Sequence, residues 1–157
     1  MKMAVFSDTH GCTAGMAAAA ARIRPDVLVH LGDYVRDARA LARAFPELPL
    51  YTVCGNCDFD CGAPDTQEFL FGPVRVFAVH GHRYGVKYGT DSLLNAAWCA
   101  GAKLALYGHT HVPECREAHG LWLVNPGSAG LGTPPTFAVA EVNELGGLIC
   151  RIETIGA

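Results

Sequence analysis

The chain has 157 residues, half of them hydrophobic and 17% charged, and its 15 acidic and 12 basic side chains leave a formal charge of −3. This excludes intrinsic disorder, which needs low hydrophobicity and high net charge. Without a block of Lys and Arg it also disfavours a stable nucleic-acid complex or membrane-surface binding. The length predicts one domain over residues 1–157, and 18 glycines, well above the ~7% average, predict tight turns or backbone held close to a ligand.

In chain order, residues 2–7 read as a strand that stops at a polar cluster. Residues 13–23 are alanine-rich and helical, ending before Pro25 because the residue preceding proline disfavours helix. Residues 27–31 are a second buried strand. Residues 35–45 form an amphipathic helix, with Val35, Ala38, Leu41, Ala42 and Phe45 on its apolar face. Residues 50–54 are a third strand. The second half is richer in strands, at residues 74–79, 103–107, 121–124, 136–142 and 147–155, with a helix over 91–100 and a Gly146-Gly147 turn. The pattern predicts a layered α/β sandwich.

Seven cysteines in a chain of this length, an odd count, do not read as a secreted disulfide scaffold. The apolar stretch at residues 3–6 is too short for a signal peptide, and the alanine run at 16–21 is too short to span a bilayer. A cytoplasmic protein with reduced thiols is expected. Cys54, Cys57 and Cys61 form a C-x2-C-x3-C cluster, read here as incidental. Cys12, Cys99, Cys115 and Cys150 read as small hydrophobes in or near the core.

What ends the strands is the informative feature. Six apolar runs finish in polar, glycine-containing turns: Ser7-Asp8-Thr9-His10-Gly11, Gly32-Asp33, Gly55-Asn56-Cys57-Asp58, His80-Gly81-His82, Gly108-His109-Thr110-His111 and Asn125-Pro126-Gly127-Ser128. Ligand sites in α/β sheets gather outside the carboxyl ends of strands, so these turns are expected to converge. Asp8, His10, Asp33, Asn56, His80, His109 and His111 offer oxygen and imidazole donors and no thiolate, which suits Mn, Fe, Zn, Co or Ni in a non-structural site. Seven ligands are too many for one tetrahedral ion and fit two ions sharing a carboxylate. Any one of these motifs alone is commonplace; their ordered recurrence at strand ends is not.

The order D-x-H, G-D, G-N-x-D, H-G-H, G-H-T-H, running from Asp8 to Ser128, resembles the calcineurin-like metallophosphoesterase superfamily, and the small size and G-N-C-D variant resemble its single-domain YfcE-type phosphodiesterases. The resemblance implies a four-layer α/β/β/α sandwich of two mixed sheets flanked by helices. It implies two divalent ions, usually Mn in the small enzymes, with Ni, Co, Fe, Zn or Mg as alternatives. One ion would take Asp8, His10, Asp33 and His111, the other Asp33, Asn56, His80 and His109, with Asp33 bridging. The implied reaction is hydrolysis of a phosphoester. A metal-bridging hydroxide would attack the phosphorus in line, its pKa lowered from 15.7 towards ~7 by coordination.

One position departs from the superfamily. The usual G-N-H-D histidine, assigned there to leaving-group protonation or phosphate binding, is Cys57 here. A thiol with an ordinary pKa of ~8.5 is a poor acid for a strong alkoxide, so esters with good leaving groups are expected as substrates. His82 is a second candidate acid or phosphate contact. Asp58 reads as a residue orienting the Asn56–Cys57 turn or as a simple Asx turn. His30 reads as a core histidine, Arg36, Arg83 and Lys87 as solvated, and Asn125 as a candidate hydrogen-bond partner for a ligand.

The expected function is therefore a dinuclear-metal-dependent phosphodiesterase or phosphatase acting on a small phosphoester, nucleotides included. With no insertion long enough for a cap, an open site is expected. The rival is a scaffold of the same fold that recruits protein partners, for which a retromer subunit of the superfamily is the precedent. Loss of ligand positions would favour that rival, and all seven are filled.

Overall fold

A computed structural model describes residues 1–156. Two five-stranded mixed sheets stack face to face. The first has the order β10-β9-β1-β2-β3, with β1 Lys2–Phe6, β2 Val27–His30, β3 Leu50–Thr52, β9 Thr136–Val142 and β10 Leu148–Thr154. The second has the order β4-β5-β6-β8-β7, with β4 Thr66–Phe71, β5 Val74–Val79, β6 Leu104–Leu106, β7 Glu114–Ala118 and β8 Leu121–Asn125. The strands whose ends carry the polar turns run parallel: β1 with β2, β2 with β3, β5 with β6 and β6 with β8. That common direction brings their carboxyl ends to one edge.

Side-chain alternation explains both the layers and the unbroken apolar runs. Within β1, Met3 and Val5 point into the core between the sheets with Val29, Phe71, Val76, Leu104 and Leu106. Their neighbours Ala4 and Phe6 face outward, against Met16 and Ala19 of α1 (Met16–Ile23) and Leu41 of α2 (Ala38–Ala44). On the far side, Phe77, Val79, Ala105 and Leu123 meet Leu93, Leu94 and Ala97 of α3 (Asp91–Cys99). Strands covered on both faces lose the apolar–polar alternation of half-exposed ones. The result is the four-layer α/β/β/α sandwich.

Several details depart from the sequence reading. Residues 35–45 do not form one regular helix: a 3-10 turn at Val35–Asp37 precedes α2, and Ala42, placed on the apolar face, is exposed. Two further strands, β4 and β7, lie outside the runs that the apolar pattern marks. β7 is charged, at Glu114, Arg116 and Glu117, as suits an exposed edge. β4 begins with polar residues and sends only Phe69 and Phe71 into the core, leaving Leu70 exposed. Among the described residues, no helix is long and apolar enough to cross a membrane.

Candidate metal centre

The six strand-end turns are tied into one another. Asp8 N–H donates to Gly32 O (3.0 Å), Gly108 N–H to His80 O (2.9 Å) and Ala129 N–H to Ser7 O (2.9 Å). Side chains complete the weave. Asp33 Oδ1 accepts from Cys57 N–H (2.9 Å), Asp8 Oδ2 from His109 N–H (3.1 Å), and Ser128 Oγ donates to Asp8 O (2.7 Å).

Such closeness is bought with unusual backbone. Asp8, His10, Asp33, His109 and His111 all have positive φ, between 47° and 69°. Left-handed conformation at a non-glycine residue costs roughly 1–2 kcal/mol, and clusters of such residues mark functional sites. The turns also need glycine where chains touch. A Cβ on Gly55 would lie 2.2 Å from Asp33 Oδ1, and one on Gly108 2.1 Å from Ser7 Oγ.

Within this frame one ligand atom each from Asp8, His10, Asp33 and His111 falls in a cluster with all atoms within 4.8 Å of one another. His10 Nε2 lies 3.3 Å from His111 Nε2 and 3.6 Å from Asp33 Oδ2, and His111 Nε2 lies 3.2 Å from Asp8 Oδ1. Asp8 is fully buried and its Oδ1 accepts no hydrogen bond. Burial, reinforced by the neighbouring Asp33 charge, pushes its carboxyl up to about 7. A buried carboxylate without a counter-charge is costly, and a cation in this cluster would remove that cost.

A second group of donors meets on the other side of Asp33. The carbonyl of Leu31 can only accept, so His80 donates to it from Nδ1 (2.7 Å). Burial holds the His80 pKa down at about 4, leaving the ring neutral with its lone pair on Nε2. That lone pair faces Asn56 Oδ1 at 3.2 Å and Asp33 Oδ1 at 3.5 Å, with Asp8 Oδ1 at 3.9 Å. These four acceptor atoms face one another, and with Asp8 ionised none of them carries a proton, an arrangement that fits a bound cation. Asp33 thus turns Oδ2 towards His10 and Oδ1 towards His80. Burial alone would raise its pKa, but His80, the Cys57 N–H and thiol, and His10 outweigh this and hold it below the ordinary carboxylate value. His109 packs its ring 5.1 Å from that of His80. Burial and the Lys87 charge lower its pKa, and burial lowers that of His111.

The remaining sequence candidates fall around this core. Asp58 accepts from Gly55 N–H (2.9 Å) and Val35 N–H (2.8 Å), so it braces the Asn56–Cys57 turn. Cys57 is exposed; burial of its sulfur and the Asp33 charge push its thiol pKa up. His82 stands beside the centre, its ring 5.4 Å from His80 and 6.1 Å from His109, and its Nδ1 has no hydrogen-bond partner. Asn125 is fully buried and spent on structure: it donates to Gly108 O and Thr110 Oγ1 and accepts from Gly127 N–H. Arg83 pairs with Asp65 at 3.1 Å. His30 is a core histidine, accepting from Gly32 N–H at Nδ1 and meeting Thr9 Oγ1 with Nε2, while Thr9 Oγ1 donates to Asp33 O.

The cysteine reading needs correction. Cys54 and Cys61 form a disulfide that closes the turn carrying Asn56 and Cys57, so the thiols are not all reduced and the cluster is not incidental. The chain reverses between β3 and residue 61, with Cys54 N–H bonded to Pro64 O, and this reversal sets the two sulfurs together. Cys12 and Cys99 are exposed and Cys115 half-buried; only Cys150 lies in the core. One neighbour of the site was missed. Tyr34 follows Asp33 directly, and its ring lies 5.4 Å from that of His10; a lone aromatic after G-D carries no signal in sequence.

The calcineurin-like phosphoesterase superfamily domain matches residues 1–145, and the chain belongs to that superfamily. It is 31% identical over 137 residues to the probable metallophosphoesterase YsnB of Bacillus subtilis, covering 83% of this chain and 76% of that one. Phosphodiesterase YfcE of Escherichia coli K12 is 29% identical over 101 residues, 57% of this chain and 50% of its own. The crystal structure of a predicted phosphoesterase from Streptococcus pneumoniae superposes with a TM-score of 0.80 at 26% identity, over 98% of this chain and 88% of that one. The fold is shared with zinc-complexed Vps29 of Entamoeba histolytica, at a TM-score of 0.75 and 21% identity over 99% and 100% of the two chains.

Proposed function

We propose that this protein is a dinuclear-metal-dependent phosphoesterase, most suited to phosphodiesters, that hydrolyses a small phosphoester in an open site. The observation that supports it best is the convergence of donor atoms on both sides of Asp33, the Asp8–His10–Asp33–His111 cluster on one and His80 Nε2 with Asn56 Oδ1 on the other. Asp8, His10, Asp33 and His111 would hold one divalent ion, and Asp33, Asn56, His80 and His109 the other. When bound, two such ions neutralise charge on a phosphoryl group and acidify water. The nitrogen and oxygen donor set suits manganese.

The chain's own residues set the conditions for that chemistry. Asp33 divides its two oxygens between the donor groups and is fixed by Cys57 N–H. Asn56 contributes a neutral oxygen, so the site keeps two carboxylates and stays receptive to an anionic ester. Asp58 holds the turn that presents Asn56. Cys57 and His82 would be the groups to contact the phosphoryl or leaving oxygen; both lie beside the donor cluster. The complete donor set favours this reading over a scaffold of the same fold.

The test is to measure the metal content of purified protein and its turnover of bis(4-nitrophenyl) phosphate with Mn, Ni, Co, Mg and Zn in turn, with Asp33→Ala as control. Two ions per chain and metal-dependent turnover, both lost in Asp33→Ala, are expected. Turnover that survives exhaustive chelation would overturn the reading. Two bound ions with no turnover of any phosphodiester would favour the scaffold.

A further inference from the structure

The segment that carries Asn56 is tied down partly by a covalent bond. Cys54 is its fixed end. Val53 before it is buried and donates N–H to His30 O (3.2 Å), and Cys54 N–H donates to Pro64 O (2.8 Å). The disulfide joins Cys54 to Cys61, seven residues on, and closes a loop that contains Gly55, Asn56, Cys57 and Asp58. Among the described residues, 59–62 make no backbone–backbone hydrogen bond, and Phe59, Asp60 and Gly62 are exposed. The disulfide therefore ties this half of the loop to the body of the domain.

The loop also reaches into the donor groups on the His80 side of Asp33. Asn56 Oδ1 stands 3.2 Å from His80 Nε2, and Cys57 N–H holds Asp33 Oδ1 at 2.9 Å. Asn56 is exposed, and among the described residues its backbone makes no hydrogen bond, so its flanks set its position. On one flank Gly55 packs against Asp33. On the other, Asp58 accepts from Gly55 N–H and Val35 N–H, and beyond Asp58 the disulfide takes over. Both bridged cysteines are half-buried rather than enclosed, so a small thiol can reach them; accessible disulfides are the ones that exchange.

We propose that the Cys54–Cys61 bond is a redox switch on the Asn56 side of the metal centre. Closed, it fixes the Asn56–Asp58 turn; opened by a dithiol reductant, it frees that turn and weakens cation binding there. One thiolate of the dithiol attacks the Cys61 sulfur, forming a mixed disulfide and releasing Cys54 as a thiolate. The second thiolate displaces Cys61 and closes the reductant into a cyclic disulfide. Two electrons pass to the protein, and the dithiol's two protons end on Cys54 and Cys61. The inference rests on the phosphoesterase reading for the role of Asn56 and adds its regulation: the oxidised form is the active one.

Oxidised protein is compared with protein reduced by dithiothreitol and desalted without air. Amide exchange of Cys57 N–H, followed by NMR on metal-free protein, reads its bond to Asp33 directly and is expected to quicken about tenfold or more on reduction. His109 N–H, bonded to Asp8 in the same centre, is expected to change far less, which separates local release from a general loss of stability. Calorimetry with Mn should show one of two ions bound about tenfold more weakly or worse, the lower end of the roughly 10–100-fold seen when a ligand's support is removed. Turnover of bis(4-nitrophenyl) phosphate with Mn should fall about tenfold or more and return with glutathione disulfide. Cys54→Ser/Cys61→Ser should match the reduced protein and ignore both reagents, while Cys12→Ser/Cys99→Ser should keep the full response. Equal Mn binding and turnover in the two redox forms would overturn the switch and leave the phosphoesterase reading intact. If the oxidised protein neither binds two ions nor turns over any ester, that reading fails and exchange decides alone. Faster Cys57 exchange on reduction, with His109 unmoved, then supports the redox-released turn, and equal rates overturn it.

Discussion

His80, at the end of β5 in one sheet, donates its Nδ1 proton to the carbonyl of Leu31, at the end of β2 in the other, at 2.7 Å. This bond fixes which ring nitrogen faces Asp33 and Asn56, and it does so from the main chain, whose position follows from sheet packing. The donor atoms are therefore organised by the fold itself, and a metal held by them would bind the folded state selectively. Added Mn at about 100 times its dissociation constant is expected to stabilise the fold by about 2.7 kcal/mol, raising Tm by about 5–10 °C for a chain of this size. Chelation should reverse the shift. His80→Ala should shrink it and weaken metal binding by more than the roughly 10–100-fold seen for residues that merely support ligands. Scanning fluorimetry with and without Mn checks both; a shift as large in His80→Ala as in the wild type would remove His80 from the ligand set.

Gly55 is the point of nearest approach between the Asn56 turn and Asp33. A methyl group there would meet Asp33 Oδ1 at 2.2 Å and Asp33 N at 2.3 Å. The first contact is with an oxygen already held by the Cys57 N–H and the second with backbone, so the turn must move away. Displacements of 1 Å at a catalytic centre can cost about 100-fold in rate. Gly55→Ala is expected to lose turnover on that scale and stability by about 1–3 kcal/mol, as overpacking does. Steady-state assays and urea denaturation measure the two losses, and near-wild-type turnover would show that the turn has room to spare.

Much of the site is legible because ligand and strand end coincide. Asp8, Asp33, His80 and His109 each stand within a few residues of a buried apolar run, with glycine nearby to permit the turn. What escapes is whatever depends on neighbours across the sheets. The charged β7 has no apolar stripe because its edge position demands none, and the 3-10 turn at Val35–Asp37 that precedes α2 is entered from Tyr34 at φ 72°. The Cys54–Cys61 bond follows from the chain's path between β3 and β4, which spacing does not reveal.

That disulfide spans seven residues of sequence and encloses the Asn56 turn. Closing so short a loop restricts the unfolded chain by an amount worth roughly 2–3 kcal/mol on the chain-entropy account. Intact protein denatured without reductant is expected to alkylate at Cys12, Cys57, Cys99, Cys115 and Cys150 only, and at all cysteines once reduced. Reduction, or the Cys54→Ser/Cys61→Ser pair, should lower stability by about that amount. Mass spectrometry reads the alkylation and chemical denaturation the stability; full alkylation without reductant would show that the bond does not form in solution.

His30 links stability to pH. Burial lowers its pKa from 6.5 to about 4, outweighing the charges of Asp58, Asp37 and Asp33, so between those values the folded ring is neutral while the unfolded one is charged. Its bonds agree: Gly32 N–H donates to Nδ1, which requires a lone pair there. Between pH 6.5 and 4 the unfolded chain holds one more proton at this site than the folded chain, so folding stability falls as pH falls. The slope is about 1.4 kcal/mol per pH unit, and the loss reaches about 3 kcal/mol once pH passes the folded value. Above pH 6.5 the contribution is complete and flat. His30→Asn keeps an acceptor for Gly32 N–H but cannot titrate. Its stability at neutral pH should drop by about 1–3 kcal/mol, because Thr9 Oγ1 loses its bond to the ring and keeps the one to Asp33 O, while its decline through the acid range should be shallower than the wild type's by the His30 share. Urea unfolding of both proteins at half-unit steps from pH 7.5 to 4 separates that share from the carboxylates they have in common. Parallel curves would mean that the ring is not buried neutral.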